Sequence, residues 1–491
     1  MTAGRAARVA GSLLLFLICI SCGETYRPVA NPVIPNQPNP AFAHVAIVLS
    51  GNGSNNAGAS TTIDVSGDTA VSQATVGLMP AHATLALNAT RVYVANAADD
   101  TVSEFSPSNP TPVTTVSLPA GSAPAFVTTA ETASTYVANP GAGTISVISN
   151  NGTVLTDTVP VGVQPVAMAE TPNGQKLYVA NQGNNGSGGS VTSINTVDKS
   201  VNSSAPLTGF AWVSPVWVVA RPDSQRVYVL DRGSGQVAAI DTSLDAVVST
   251  VSVGAGANFM IYDSKRNRIY VVDPAAGTLT SLEAATDALT ALTVSVANPV
   301  SVAALPDGSR VYVSTAAVSG GTVTSGVVVL NAVGLTAKTT IPLTSVPAAC
   351  ATQTWSRLSI AAAADSSKVY VGNCDAGNTA IIQPSSDTLL LQVPAPISAA
   401  QPSQLRITAA TQSGANTAYA YTLVSGPPLT VGVRVAITGM GDSGNNGTFS
   451  VIAANAGTFT VANASGVTAS GQNGTGTAVT LQNPVFVLTG P

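Results

Sequence analysis

The sequence predicts an all-β protein: a β-propeller of four-stranded blades, closed by its own C-terminal strand and carrying a small inserted β module. Three observations lead there. A tyrosine-centred strand recurs along the chain, as RVYVAN at Tyr93, STYVAN at Tyr136, KLYVAN at Tyr178, RVYVLD at Tyr228, RIYVVD at Tyr270, RVYVST at Tyr312 and KVYVGN at Tyr370. Turn-forming Gly, Pro, Asn, Asp and Ser separate short runs rich in Val, Ala and Thr, as expected for strands. The closing NPVFVLTGP, residues 483–491, opens like NPVSVAALPDG at 298–308.

Composition agrees with a packed β protein. Hydrophobic residues make up 45% of the 491 residues and charged residues only 8%. Disordered chains show the opposite balance. The formal net charge is -5 and no basic patch is present, so nucleic acid is not an expected partner.

Residues 1–21 read as an export signal: Arg5 and Arg8, an apolar run from Leu13 to Ile20, then Ser21 before Cys22. The run is too short to span a bilayer. The CISC ending resembles a bacterial lipoprotein signal, with Cys19 where Leu is usual. That resemblance implies lipidation at Cys22 and a peripheral anchor in the cell envelope, at the outer membrane or cell surface. An ordinary secretory signal ending nearby is the alternative. Residues 22–43, rich in Pro and Asn, read as an extended tether of roughly 3 Å per residue.

The blades are assigned to 44–402. Gaps between successive repeat tyrosines are 43, 42, 50, 42, 42 and 58 residues, a blade-sized period with local insertions. GNNGSGG at 183–189 and STAAVSGGTVTSG swell two of the hairpins. The unit beginning at Pro215 shows four strands: VWVVA (a), RVYVL (b), QVAAID (c) and AVVSTVSV (d). The fully apolar VWVVA suits an inner position packed on both faces. The first unit has HVAIVLSG, STTIDVSG and AVSQATVG as strands b, c and d, but no strand a. The C-terminal strand at 483–491 supplies it, which removes an open seam. One composite blade and seven tyrosine-marked units make eight.

Residues 403–482, between the last full blade and the closing strand, hold strand-like pieces: QLRITAA, AYAYTLV, RVAITGM, GTFSVIAA, GTFTVANA and TAVTL. They predict a small β-sandwich-like or barrel module; a loose polar loop is the alternative.

The repeat strands closely resemble the YVTN β-propeller repeat over about 44–397, including Pro-Asp-Gly before strand b in LPDGSRVYV at 305–313. That family is usually described with seven blades, against the eight counted here, and lies mostly in the cell envelope. Its fold serves very different tasks, so the resemblance implies architecture more than activity.

Reactive residues are few. His44 and His82 are the only histidines, and each lone histidine reads as a surface or capping group. No zinc or copper ligand spacing, haem-attachment motif or nucleophile elbow is found, so no metal or cofactor is expected. Cys350 and Cys374 read as a structural disulfide between two loops on one face, suited to an oxidising compartment. The residues after each strand b (Asn96, Asn139, Asn181, Asp231, Asp273, Thr315 and Asn373) read as turn caps. A ligand-binding rim is the second reading for them. Asp231 beside Arg232 is singled out. So are the aromatics Phe210, Trp212, Trp217 and Phe259, with Tyr262 near them; Trp212 is expected to be exposed, and such rings suit a sugar or peptide ligand, with packing between adjacent blades the alternative for Trp217 and Phe259.

The expected function is a non-enzymatic, lipid-anchored envelope module, a monomer, that binds or scaffolds a protein or glycan. Two alternatives are a lactonase-type propeller enzyme, which would gather His, Arg and Glu around the central channel, and a redox- or metal-associated envelope subunit.

Overall fold

The computed structural model describes residues 44–490, except 53–55, 87–88, 130–133, 150–153, 185, 203–206, 208, 287–288, 320–321, 349, 351–354, 397–402, 427, 430, 432 and 480–482. The export signal, Cys22 and the tether lie outside the described residues.

Eight antiparallel sheets form a propeller ring. Blade 5 shows the repeat fully: strand a Pro215–Ala220, b Arg226–Asp231, c Gln236–Asp241 and d Ala246–Ser252. Trp217 pairs with Leu230, and Tyr228 with Ala239. Strand b, rather than a, is the most buried. In blade 5 its Val227, Tyr228, Val229, Leu230 and Asp231 are all buried, whereas Val216, Trp217, Val219 and Ala220 of strand a are half-buried. Both faces of strand b meet neighbouring sheets; strand a lines the axis, and strand d alternates at the rim. Continuous apolar runs mark strands covered on both faces.

Two irregularities follow the sequence. In blade 4 the described residues form three strands, a Pro165–Glu170, b Lys176–Asn181 and c Ser190–Asn195; Val201 bridges Ile194 where strand d belongs. In blade 7 the inserted residues lengthen strands b and c to Arg310–Ser319 and Thr322–Asn331, which pair along their whole length. The insertion therefore satisfies its own backbone hydrogen bonds instead of forming a loop.

The C-terminal strand Asn483–Thr489 pairs antiparallel with Val45–Gly51 and completes blade 1, whose strands c and d are Ala57–Asp64 and Thr69–Leu78. It is held from the side as well. The Val487 amide donates to Ser359 Oγ at 3.1 Å, and the Thr489 hydroxyl to the Ala362 carbonyl at 2.7 Å, both in blade 8. Phe486 packs against His82 of blade 2.

The repeat tyrosine acts between blades. Its hydroxyl reaches towards the c–d turn of the next blade, where a residue sits in the left-handed region. Tyr178 donates to Asp245 (φ 49°) at 2.5 Å, and Tyr312 donates to Asp387 (φ 51°) at 2.6 Å. Lys199 (φ 61°) donates to Tyr136 at 2.9 Å. Asp and Asn tolerate that conformation better than most residues. The basic residue two places before the tyrosine joins in: Lys176 pairs with Asp245 at 2.7 Å, and Lys368 with Asp68 at 2.6 Å.

Of the two expected forms, sandwich or barrel, the inserted module takes the closed barrel. Its six strands are Ser403–Ser413, Asn416–Ser425, Arg434–Thr438, Gly447–Asn455, Thr458–Ala462 and Gly474–Val479. Gly474–Val479 pairs on one side with Ser403–Ser413 and on the other with Arg434–Thr438. That double pairing leaves no free edge, the reason a short six-strand segment closes instead of stacking two open sheets. Ile407, Tyr419, Val435, Ile437, Phe459 and Val461 form its core.

Candidate functional site

The strand-a residues decide what the ring's interior can hold. Aromatic rings from five blades run into one another there. Phe486 (blade 1) lies 4.3 Å from His82 (blade 2), which stacks at 3.9 Å on Phe126 (blade 3). Phe126 meets Trp217 (blade 5) edge-on at 5.7 Å, and Trp217 meets Phe259 (blade 6) at 4.7 Å. Blades 3 and 5 are not neighbours, so the Phe126–Trp217 contact passes through the ring's interior. His82 is thus a buried packing residue, neither a surface nor a capping group, because a flat ring fills the slot between two phenyl groups. Its Nδ1 lies 3.1 Å from the Val127 carbonyl. Burial pushes its pKa down to about 3, against a smaller upward pull from that carbonyl, so the imidazole is neutral at physiological pH.

A cavity opens at each mouth. On the a–b turn side, a cavity of about 440 Å³ is lined by Met168, Glu170, Trp217, Ala220, Met260 and Tyr262, among others. These residues stand on strands a of blades 4, 5 and 6. The Tyr262 hydroxyl donates to Asn267 Oδ1 at 3.2 Å, and burial raises its pKa. This surface is largely apolar and aromatic, with one carboxylate: chemistry suited to holding a ligand with an apolar face. On the opposite side, a second cavity of about 440 Å³ is lined by Gln164, Gln182, Gly183, Ser214, Arg232 and Gly233, with Gly186 and Ala255.

The predicted site residues therefore separate. Trp217 both packs in the interior and lines the aromatic cavity. Phe259 is buried beside it. Trp212 is buried at 8% exposure, against the expected exposure. Its indole N–H donates to the Leu207 carbonyl at 3.2 Å, and Phe210 meets its ring edge-on at 4.7 Å, because the connection before blade 5 folds back over it. Asp231 is fully buried. Its carboxylate accepts from the amides of Val213 and Ser214, each at 2.8 Å, and Gly233 at 3.0 Å. It clamps two loops of one blade. Arg232 next to it points to the other cavity and is exposed.

The other post-strand-b polar residues are buried too, except the half-buried Thr315. Asn96 donates to the hydroxyls of Thr101 and Ser103, Asn139 to Thr144 and Ser146, and Asn181 to Ser190 and Thr192. These three tie strand b to strand c by side-chain bonds, whereas Asp273 and Asn373 cap their own turns by accepting from the amides of Ala276 and Ala376, as Asp231 does from Gly233. Cys350 and Cys374 are bonded, with Cα atoms 6.2 Å apart. Beside them Arg357 and Asp375 make a buried bidentate ion pair at 2.7 and 3.0 Å. Sequence reasoning missed Glu170, Met168 and Met260 as cavity residues. The available signal was their shared place on strands a, in AMAE and FMIYD.

Among the described residues, no group of three or more His, Cys, Asp or Glu is placed to hold a metal ion, and no helix is long and apolar enough to cross a membrane.

No protein-family model and no curated protein matches the chain. Solved propeller structures do. Apo AztD from Citrobacter koseri is 10% identical, covering 72% of this chain and 95% of that one, with a TM-score of 0.53. Dihydro-heme d1 dehydrogenase NirN in complex with DHE is 11% identical, covering 74% and 76%, with a TM-score of 0.52. Hydrazine synthase of Kuenenia stuttgartiensis is 17% identical, covering 62% and 95%, at 0.47. At such identities the likeness concerns the fold alone. The class is an eight-bladed propeller with an inserted barrel.

Proposed function

We propose that this chain is a non-enzymatic binding or scaffolding propeller of the YVTN type, exported and lipid-anchored at Cys22 in the cell envelope, for a protein or glycan partner. One observation carries the binding role: the aromatic cavity at the a–b mouth, lined by Trp217, Tyr262, Met168, Met260 and Glu170 over a closed interior. Rings stack on sugar faces and apolar side chains at small entropic cost. The only histidine among these strands is neutral and walled in by Phe126 and Phe486, which favours binding over a hydrolytic site on the axis. The signal-like start and the propeller fold support the envelope address.

The test is a pull-down of envelope glycans and proteins with the full-length protein, alongside Tyr262→Phe and Glu170→Gln, which spare the interior packing. Saturable binding weakened by either change supports the reading. Turnover of a lactone substrate, or binding indifferent to both changes, sinks it. Labelling with a lipid precursor tests the anchor: label lost in Cys22→Ala is the expected result.

A further inference from the structure

The repeat is its own control for the cavity on the opposite mouth. The residue four places after the repeat tyrosine is Ala97 in blade 2, Pro140 in blade 3, Pro274 in blade 6, Ala316 in blade 7 and the disulfide-bonded Cys374 in blade 8, all small or ring-locked. Blades 4 and 5 depart from this with Gln182 and Arg232. These two blades are adjacent, and both residues line the same cavity. The loops before strand a add to it: Gln164 in blade 4 and Ser214 in blade 5 line the cavity, with Ala255 from the corresponding loop of blade 6.

The functional groups there are not used up by the fold. Among the described residues, the Arg232 guanidinium has no ion pair or hydrogen bond. Its neighbour Asp231 spends its carboxylate on the amides of Val213, Ser214 and Gly233. Gln164 donates to Asn184 Oδ1 at 3.2 Å, which leaves its own amide oxygen free. Among the described residues, Gln182 and the Ser214 hydroxyl carry no side-chain hydrogen bond. A planar guanidinium binds a carboxylate through two parallel hydrogen bonds. Primary amides and a hydroxyl suit the alternating donors and acceptors of sugar hydroxyls. A cavity of about 440 Å³ lies within the range that encloses a small organic ligand.

We propose that this polar mouth is a second binding site, specific for an acidic sugar: Arg232 takes the carboxylate, while Gln164, Gln182 and Ser214 take ring hydroxyls. It stands apart from the aromatic mouth and does not depend on that cavity binding anything.

Calorimetric titration of the full-length protein with trigalacturonate, maltotriose and inorganic phosphate tests it. The expected result is saturable binding of trigalacturonate that weakens as salt rises and falls about ten- to a hundredfold in Arg232→Ala. Gln182→Ala reduces it less, and Tyr262→Phe leaves it unchanged. Equal binding of maltotriose, or unaltered affinity in Arg232→Ala, overturns the proposal. So does absence of trigalacturonate binding up to about 10 mM. Phosphate competing as well as the uronate shows a general anion site and overturns the sugar assignment. Because Tyr262→Phe reports on the other mouth, failure here leaves the aromatic cavity standing, and the reverse also holds.

Discussion

At the scale of single residues, a few polar groups carry specific loads. Asp245 accepts from the Tyr178 hydroxyl at 2.5 Å, Lys176 at 2.7 Å and Asn202 at 2.8 Å, so it binds strand b of blade 4 to the turn of blade 5. Asp245→Ala removes the carboxylate that accepts all three bonds and strands a half-buried hydroxyl and ammonium; a loss of about 2–4 kcal/mol is expected in urea unfolding. Tyr178→Phe removes one bond and is expected to cost about 1–2 kcal/mol. His82 makes stability depend on pH in a fixed direction. Its folded pKa, about 3, lies below the ordinary value of 6.5. Between those values the unfolded chain binds the extra proton, so stability is full above about pH 6.5 and falls as pH drops towards 3. In His82→Phe the slope between pH 6.5 and 4.5 is expected to flatten, while the acid loss below about pH 4 persists. That later loss belongs to carboxyls held below their ordinary range, such as Asp241, lowered chiefly by the Ser243 hydroxyl. Parallel denaturation curves for the two proteins across this range would contradict the assignment.

At the scale of elements, the closing strand and the loop staple matter most. Removing Asn483–Thr489 bares both a strand edge at Val45–Gly51 and the apolar contacts of Val487 with blades 1 and 8. Truncation after residue 482 is expected to abolish cooperative unfolding, or to lower Tm by more than about 10 °C, with rapid proteolysis at blade 1. A milder probe is Gly372, whose added Cβ would sit 2.8 Å from Val487 Cγ2 and 3.2 Å from Pro484 Cβ. Gly372→Ala should wedge the closing strand away from blade 8 at a cost of about 1–3 kcal/mol. The Cys350–Cys374 bond closes a loop with a sequence separation of 24. Replacing both cysteines with Ala is expected to cost about 3 kcal/mol, read from denaturant midpoints without reductant.

At the scale of the whole molecule, the ring and the barrel keep separate cores. The barrel residues around Tyr419 and Phe459 form a cluster that shares no member with the blade clusters. Replacing 403–482 by a short flexible linker is therefore expected to leave propeller unfolding cooperative and both mouth cavities intact. Circular dichroism and the trigalacturonate titration check this.

The sequence alone determined the architecture: tyrosine-marked strands at a blade-sized period, the incomplete first unit, and the closing strand that matches NPVSV. Local periodicity encodes these, because each blade repeats the same hydrophobic pattern. It left open whether the insert would stack as a sandwich or close as a barrel, and it did not reveal that strand b would be the most buried strand or that Trp212 would be covered. Those depend on neighbours brought close from far along the chain. The site was least legible. Trp217 and Arg232 were picked out together, yet the fold sends them to opposite mouths, since one stands on strand a and the other follows strand b. His82 looked like a surface group until Phe126 and Phe486, from two other blades, closed over it. Only the tertiary structure decides which side chains share a cavity, because a ring of blades places residues some forty positions apart side by side, and sequence spacing is blind to which end of the axis they face.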